Sequence, residues 1–192
     1  MTKLDTYEIK NTNNQVVFSG QFNSFKECVE AAVSRKIDLR MANLQDANLY
    51  KCNLQDANLQ GAYLQGADLR YVNLECANLY KCNLKDAYLQ DANLKGANLR
   101  YVNLQGAYLQ GAYLYKCNLQ GANLQDANLQ GANLQDANLQ GADLQAYLKD
   151  ANLQGADLRY VNLQGAYLQG ANLYKCNLQD ANFQDANLYK CN

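Results

Sequence analysis

The sequence predicts an all-β solenoid, a chain that turns at a fixed short interval and stacks coil on coil, and three observations carry that prediction. From Leu39 to Leu144 a leucine stands at every fifth residue, and the series resumes from Leu148 to Leu188 with Phe183 as its one substitute. Two residues before each of these stands Ala, Cys, Val or Ile37, while eleven of the 12 glycines stand two residues after a leucine. The period itself excludes the alternatives. Five residues advance an α-helix by about 500°, which spirals leucines around its surface with no apolar face, and side chains five apart in a strand point to opposite faces. A three-residue extended step that turns Ala and Leu inward, followed by a two-residue corner, satisfies all three observations.

In chain order, the first 36 residues use different chemistry from residues 37–192, and the two stretches read as separate units. Tyr7–Lys10 and Gln15–Phe18 flank the polar Asn11–Asn14 and predict a β-hairpin. Ser24 with Glu27 three residues on makes a capping box, and Phe25, Cys28, Val29, Ala32 and Val33 form one apolar stripe of a following helix. That stripe needs a surface, and the open end of the first coil offers one, so residues 1–36 read as a solubilising N-terminal cap. In the coil, Gly supplies the positive φ of a tight corner and Asp is a common turn residue. Coils pair in parallel about 4.8 Å apart, with each buried Leu contributing roughly 2 kcal/mol. One corner residue is missing in Leu144-Gln145-Ala146-Tyr147-Leu148, which predicts a tightened corner with the number of coils kept. The last repeat stops at Cys191-Asn192. It reads either as a truncation or as an uncovered end, carrying Phe183, Leu188, Tyr189 and Cys191, that docks a second copy or another partner.

Runs such as Ala42-Asn43-Leu44-Gln45-Asp46 and Ala67-Asp68-Leu69-Arg70-Tyr71 resemble the pentapeptide-repeat proteins, whose pattern is A(D/N)LXX. The resemblance covers residues 37–192. It implies a right-handed quadrilateral β-helix with four repeats per coil, hence about eight coils along roughly 38 Å. The N-terminal segment is similar to short caps of phage and prophage members. Some members of the family resemble duplex DNA in shape and charge and inhibit or protect DNA gyrase. Here the repeat region carries 14 acidic and 12 basic residues, far below the duplex density of one charge per ~1.7 Å. A gyrase or topoisomerase inhibitor is therefore the alternative, and a non-enzymatic rigid scaffold or protein-interaction module, partner unknown, is the main reading.

Composition bears on chemistry in the same direction. The chain has no His, Pro or Trp, so the usual general base and commonest metal ligand is missing. The seven cysteines include no pair closer than six residues, which argues against zinc and, with their odd number, against a disulfide framework. No cofactor, metal or catalytic constellation is expected. The opening Met1-Thr2-Lys3-Leu4-Asp5 lacks the look of a secretory signal, so a reducing cytoplasm is the expected compartment. No run of 18 apolar residues is present to span a membrane.

Candidate interaction residues are the deviations from the repeat. With twenty residues per coil, Tyr88 and Tyr108 stack on adjacent coils and Tyr147 and Tyr167 do the same further along one face, interrupted by Asn128. Tyr is enriched in interface hot spots. Cys76 occupies a corner, where its thiol is expected to be exposed; the other coil cysteines read as Ala-sized core fillers. Leu-Tyr-Lys-Cys-Asn begins at Leu49, Leu79, Leu114, Leu173 and Leu188, and Leu-Arg-Tyr-Val-Asn at Leu69, Leu99 and Leu158. Spacings of 30, 35 and 15 scatter these corners over different faces, which argues against direct nucleic-acid binding by interleaved Arg and Tyr.

Overall fold

The computed structural model describes residues 4–192, so the reading of a missing leader on Met1–Lys3 falls outside the described residues. Strand β1 (Asp5–Asn11) pairs antiparallel with β2 (Val16–Phe22), with a register shift between Ile9 and Lys10. Both strands extend beyond the predicted hairpin arms, because the ladder of pairs continues outward from Ile9↔Phe18 to Asp5↔Phe22. Helix α1 (Phe25–Ser34) starts at the N-cap Ser24, whose Oγ accepts from the Glu27 N–H at 3.2 Å. The Glu27 carboxylate turns to Asn23 instead of completing the box on Ser24, accepting from both the Asn23 N–H (3.0 Å) and its Nδ2 (2.8 Å).

The hairpin is joined to the repeat through a third strand. β1 pairs on its other edge with β3 (Ala42–Asn43), giving the order β2-β1-β3, so the first rung of the repeat meets backbone rather than open solvent. Helix α1 buries Cys28, Val29 and Ala32, and with Ile9 they join the same apolar cluster as Leu39, Leu44 and Leu49. Glu30 adds a polar tie, accepting from the Asn53 N–H at 2.8 Å.

From Asn43 onward the rungs bridge in parallel to the rung one coil later, twenty residues on except where the slip at 144–148 makes it nineteen, in four columns that begin at Asn43, Asn48, Asn53 and Asn58. The leucines from Leu39 to Leu168 and the residues two before them are almost all buried, and among the described residues no polar or charged one is buried. The backbone explains the consensus residue by residue. In the repeat around Leu54, Leu54 N–H donates to Asn73 O in the next coil, Asp56 N–H to Glu75 O, and Ala57 N–H closes the turn on Leu54 O. Asn73 N–H donates back to Cys52 O. One N–H per repeat is left over, on the residue after Leu, and the Asn before Leu takes it: Gln55 N–H donates to Asn53 Oδ1 at 3.2 Å, and Gln105 N–H to Asn103 Oδ1 at 3.1 Å. Asparagine recurs because a backbone donor must be satisfied.

The second residue after each leucine from Leu39 to Leu139 lies in the left-handed region whatever its type, Gly66 at φ +66° and Lys51 at +54° alike. A single left-handed residue closed by the hydrogen bond from the following Ala is the pattern of a type II turn. At Gly121 a Cβ atom would stand 2.7 Å from the Tyr101 ring of the coil below, so a larger residue there requires that ring to move. At Gln145-Ala146 the left-handed residue is the one missing. The bridge offset falls from twenty at Asn123↔Asp143 to nineteen at Asn128↔Tyr147 and returns to twenty at Tyr147↔Tyr167. One coil is shortened by a residue and the ladder runs on unbroken.

Candidate functional site

The second column reads Asn48, Asp68, Tyr88, Tyr108, Asn128, Tyr147, Tyr167 and Asn187. Position before Leu points these side chains outward, since the residues on either side of it point into the core. Tyr88 and Tyr108 stack with ring centroids 5.2 Å apart and planes 6° from parallel, and Tyr147 and Tyr167 at 4.8 Å and 4°. Tyr88, Tyr108 and Tyr147 remain 43%, 40% and 41% exposed, and Tyr167 Oη donates to Gln169 Oε1 at 2.6 Å. Two residues beyond each ring of the first stack, Gln90 Oε1 and Gln110 Oε1 are buried without a hydrogen-bond partner. A tyrosine in this position offers no oxygen to the N–H two residues on, so each ring displaces the Asn acceptor that the repeat otherwise supplies.

The basic and aromatic corners correct the sequence reading. They do not all scatter: Leu49 and Leu69 are one coil apart, as are Leu79 and Leu99, and each pair builds a four-residue cluster. In the first, Tyr50 and Tyr71 meet edge to face at 5.6 Å, with Lys51 Nζ 5.1 Å and the Arg70 guanidinium 5.5 Å from the Tyr50 ring centre. In the second, Tyr80 and Tyr101 meet at 5.9 Å with Lys81 at 5.2 Å and Arg100 at 5.3 Å from the Tyr80 ring. Twenty-residue spacing between the two block types was the available signal; spacing within each type hides it. Asp68 pairs with Arg70, Nη2 to Oδ2 at 2.6 Å, and the hydrogen bond from the Arg70 side chain holds the Asp68 carboxyl below the usual carboxylate range. A recess of about 260 Å³ between Asp46, Gly66, Arg70 and Tyr88 adjoins the lower end of the tyrosine column.

Cys76 is exposed at its corner, beside Glu75, whose carboxylate pairs with Lys95 at 3.1 Å. The inward cysteines differ. Burial pushes Cys82 and Cys117 up to about 12, and burial with the nearby Glu30 does the same to Cys52. The Cys82 and Cys117 thiols donate to Leu59 O at 2.8 Å and Leu94 O at 2.7 Å. Because the thiolate is the nucleophile, iodoacetamide at pH 8 is expected to alkylate Cys76 within minutes and Cys52, Cys82 and Cys117 only after unfolding. Peptide mass spectrometry checks this, and Cys82 reacting at the rate of Cys76 contradicts it.

In the last coil Phe183 and Cys191 pack partly against the core, while Leu188 is 46% exposed and Tyr189 lies open beside it. Among the described residues no group of three Cys, Asp or Glu is arranged to hold a metal ion, and no helix is long and apolar enough to cross a membrane.

Comparison with known proteins follows the coil. The family model described as pentapeptide repeats matches residues 42–77, 77–114, 107–145 and 156–192. The structure is similar to that of HetL from the cyanobacterium Nostoc sp. strain PCC 7120, a pentapeptide repeat protein involved in heterocyst differentiation regulation: 32% identity over 81% of this chain and 80% of that one, TM-score 0.51. Rfr23 from the cyanobacterium Cyanothece 51142 is 30% identical over 75% of this chain and 89% of its own, TM-score 0.36. Full-length QnrB1, a plasmid-mediated fluoroquinolone resistance protein, is 20% identical over 76% of each chain, TM-score 0.46. No curated protein matches the chain.

Proposed function

The chain belongs to the pentapeptide-repeat family, and from that membership we propose that it works as a non-catalytic rod whose second column is a docking surface for a protein partner. In this reading residues 37–192 form a right-handed quadrilateral β-helix of about eight coils, roughly 38 Å long, and residues 1–36 close its first coil. The observation that carries the proposal is the tyrosine column: Tyr88, Tyr108, Tyr147 and Tyr167 form two stacks on one side, the first three rings exposed and Tyr167 half-buried. Aromatic side chains held rigid by a regular backbone lose little entropy on association. A reducing, cytoplasmic setting suits seven cysteines that are all free.

The charge distribution weighs against mimicry of duplex DNA. Asp38, Asp68, Asp157 and Glu75 are paired with Arg40, Arg70, Arg159 and Lys95, which takes four carboxylates out of an already sparse negative field. DNA gyrase supercoiling is accordingly expected to be unaltered by the protein at micromolar concentration.

Photo-crosslinking tests the docking side directly. Benzoylphenylalanine placed at Tyr108 or Tyr147 is expected to give a discrete adduct in the host cell, and the same group at Asn138, in the fourth column, none. Equal adducts from all three positions, or none from the tyrosine column, count against the proposal.

A further inference from the structure

Four arginines stand in the coil, and three follow the order Asp-Leu-Arg: Asp38-Leu39-Arg40, Asp68-Leu69-Arg70 and Asp157-Leu158-Arg159. In each the aspartate holds the guanidinium through two N–H groups. For Arg70 these are Nε to Asp68 Oδ1 at 2.8 Å and Nη2 to Oδ2 at 2.6 Å; for Arg159, Nε to Asp157 Oδ1 at 2.9 Å and Nη2 to Oδ2 at 2.6 Å. Arg100 is the exception, following Asn98-Leu99. Its Nε reaches only the Asn98 amide oxygen, at 3.3 Å, and among the described residues it takes part in no ion pair.

The surroundings of Arg100 make that vacancy specific. Tyr80, Lys81, Arg100 and Tyr101 repeat the ring pair and the two cations on the first ring seen at Tyr50, Lys51, Arg70 and Tyr71; the clusters differ in that Lys51 also lies 5.8 Å from the Tyr71 ring centre and in the carboxylate, which is Asp68 in one and replaced by Asn98 in the other. Two cations gathered on one ring repel each other unless a counter-charge is supplied. We propose that the corner built by Tyr80, Lys81, Arg100 and Tyr101 is a binding site for a side-chain carboxylate of an acidic protein segment.

The chemistry of the occupant is read from the molecule itself. A guanidinium lying on a ring keeps its edge N–H groups outward, in the fork that accepts a planar carboxylate through two parallel hydrogen bonds. Arg70 and Arg159 are filled in that way by aspartate, while Asp38 meets Nε and Nη2 of Arg40 through the single oxygen Oδ2. Lys81 adds a second charge to the same anion, and Tyr101, 51% exposed, flanks it. Across the fourth side, Lys95 and Lys116 stand at the opposite corner, one paired with Glu75 and the other resting 4.9 Å from the Tyr115 ring centre. Lys95 is neutralised by Glu75, so the added charge on this side is that of Lys116, which favours a segment with more than one acidic residue. This corner joins the fourth column to the first and does not border the tyrosine column, so it stands or falls separately from the docking proposal above.

The test is an NMR titration of the full chain at low salt, following the Arg100 Nε–Hε signal and the amides of Tyr80, Lys81 and Tyr101. Hexaglutamate is expected to shift them saturably. Asn98→Asp, which supplies the missing internal carboxylate in a sequence order the coil already uses three times, is expected to weaken binding by about five-fold. Arg100→Gln reaches the same loss by a second route. The converse exchange, Asp68→Asn, is expected to open a second response at Arg70. No saturable shift, an Asn98→Asp variant that binds as well as the parent, tighter binding of an oligothymidylate than of hexaglutamate, or equal binding of inorganic phosphate each overturns the proposal.

Discussion

Leu109→Ala is expected to destabilise the coil by about 3 kcal/mol, measured as a fall in the urea midpoint at unchanged slope. Leu109 is 0% exposed, and its column neighbours one coil away, Leu89 and Leu129, are equally buried. Each of those leucines already fills the same site in its own coil, and its backbone is held by the ladder above and below. Little can therefore relax into the void, which places the substitution toward the costly end of large-to-small changes. Leu188→Ala removes the same atoms from a side chain that is nearly half exposed and is expected to change stability by about 0.5 kcal/mol or less. Equal shifts for the two variants contradict a core that runs along the axis.

The core was legible because it depends on composition at a fixed interval, and a period of five excludes helix and continuous strand by arithmetic alone. The corners were legible only in part. Gly and Asp announce a left-handed residue, but Lys51, Tyr71 and Cys76 adopt the same conformation with φ of 54°, 58° and 58°, imposed by the coil against their own preference. The role of asparagine was hidden for a different reason: which N–H is left without a partner can be known only after the other four in the repeat have been assigned. The pairing of β1 with β3 could not be foreseen from a two-residue strand. Of the candidate sites, the tyrosine stacks followed from twenty-residue spacing. The basic clusters required the same spacing to be sought between unlike blocks, Leu-Tyr-Lys with Leu-Arg-Tyr, where the sequence offers no outward likeness.

Exchanges at the position before leucine are expected to separate what asparagine and tyrosine contribute there. Asn103→Ala should cost about 2 kcal/mol, since it leaves the Gln105 N–H without its acceptor and also removes the Nδ2 that donates to Asn83 Oδ1 at 3.4 Å. Tyr113→Asn should stabilise by about 1 kcal/mol: its neighbours in the third column are Asn93 and Asn133, so an asparagine there gives the Tyr115 N–H an acceptor without dismantling a ring stack. Tyr108→Asn gains the equivalent acceptor for Gln110 but loses its stack on Tyr88, worth about 1 kcal/mol, and is expected to be neutral within about 0.5 kcal/mol. Urea unfolding of the three variants, with amide exchange at residues 105, 110 and 115, reads all of these effects. The order matters more than any single value. If Tyr113→Asn destabilises the chain, the leftover N–H is satisfied by solvent and asparagine recurs for its side-chain ladder alone. If the predicted order holds, a solitary tyrosine opposes stability by a full acceptor, whereas four rings in two stacks set two ring contacts against four displaced acceptors, so the second column costs the coil about 2 kcal/mol, half of what four solitary rings would cost.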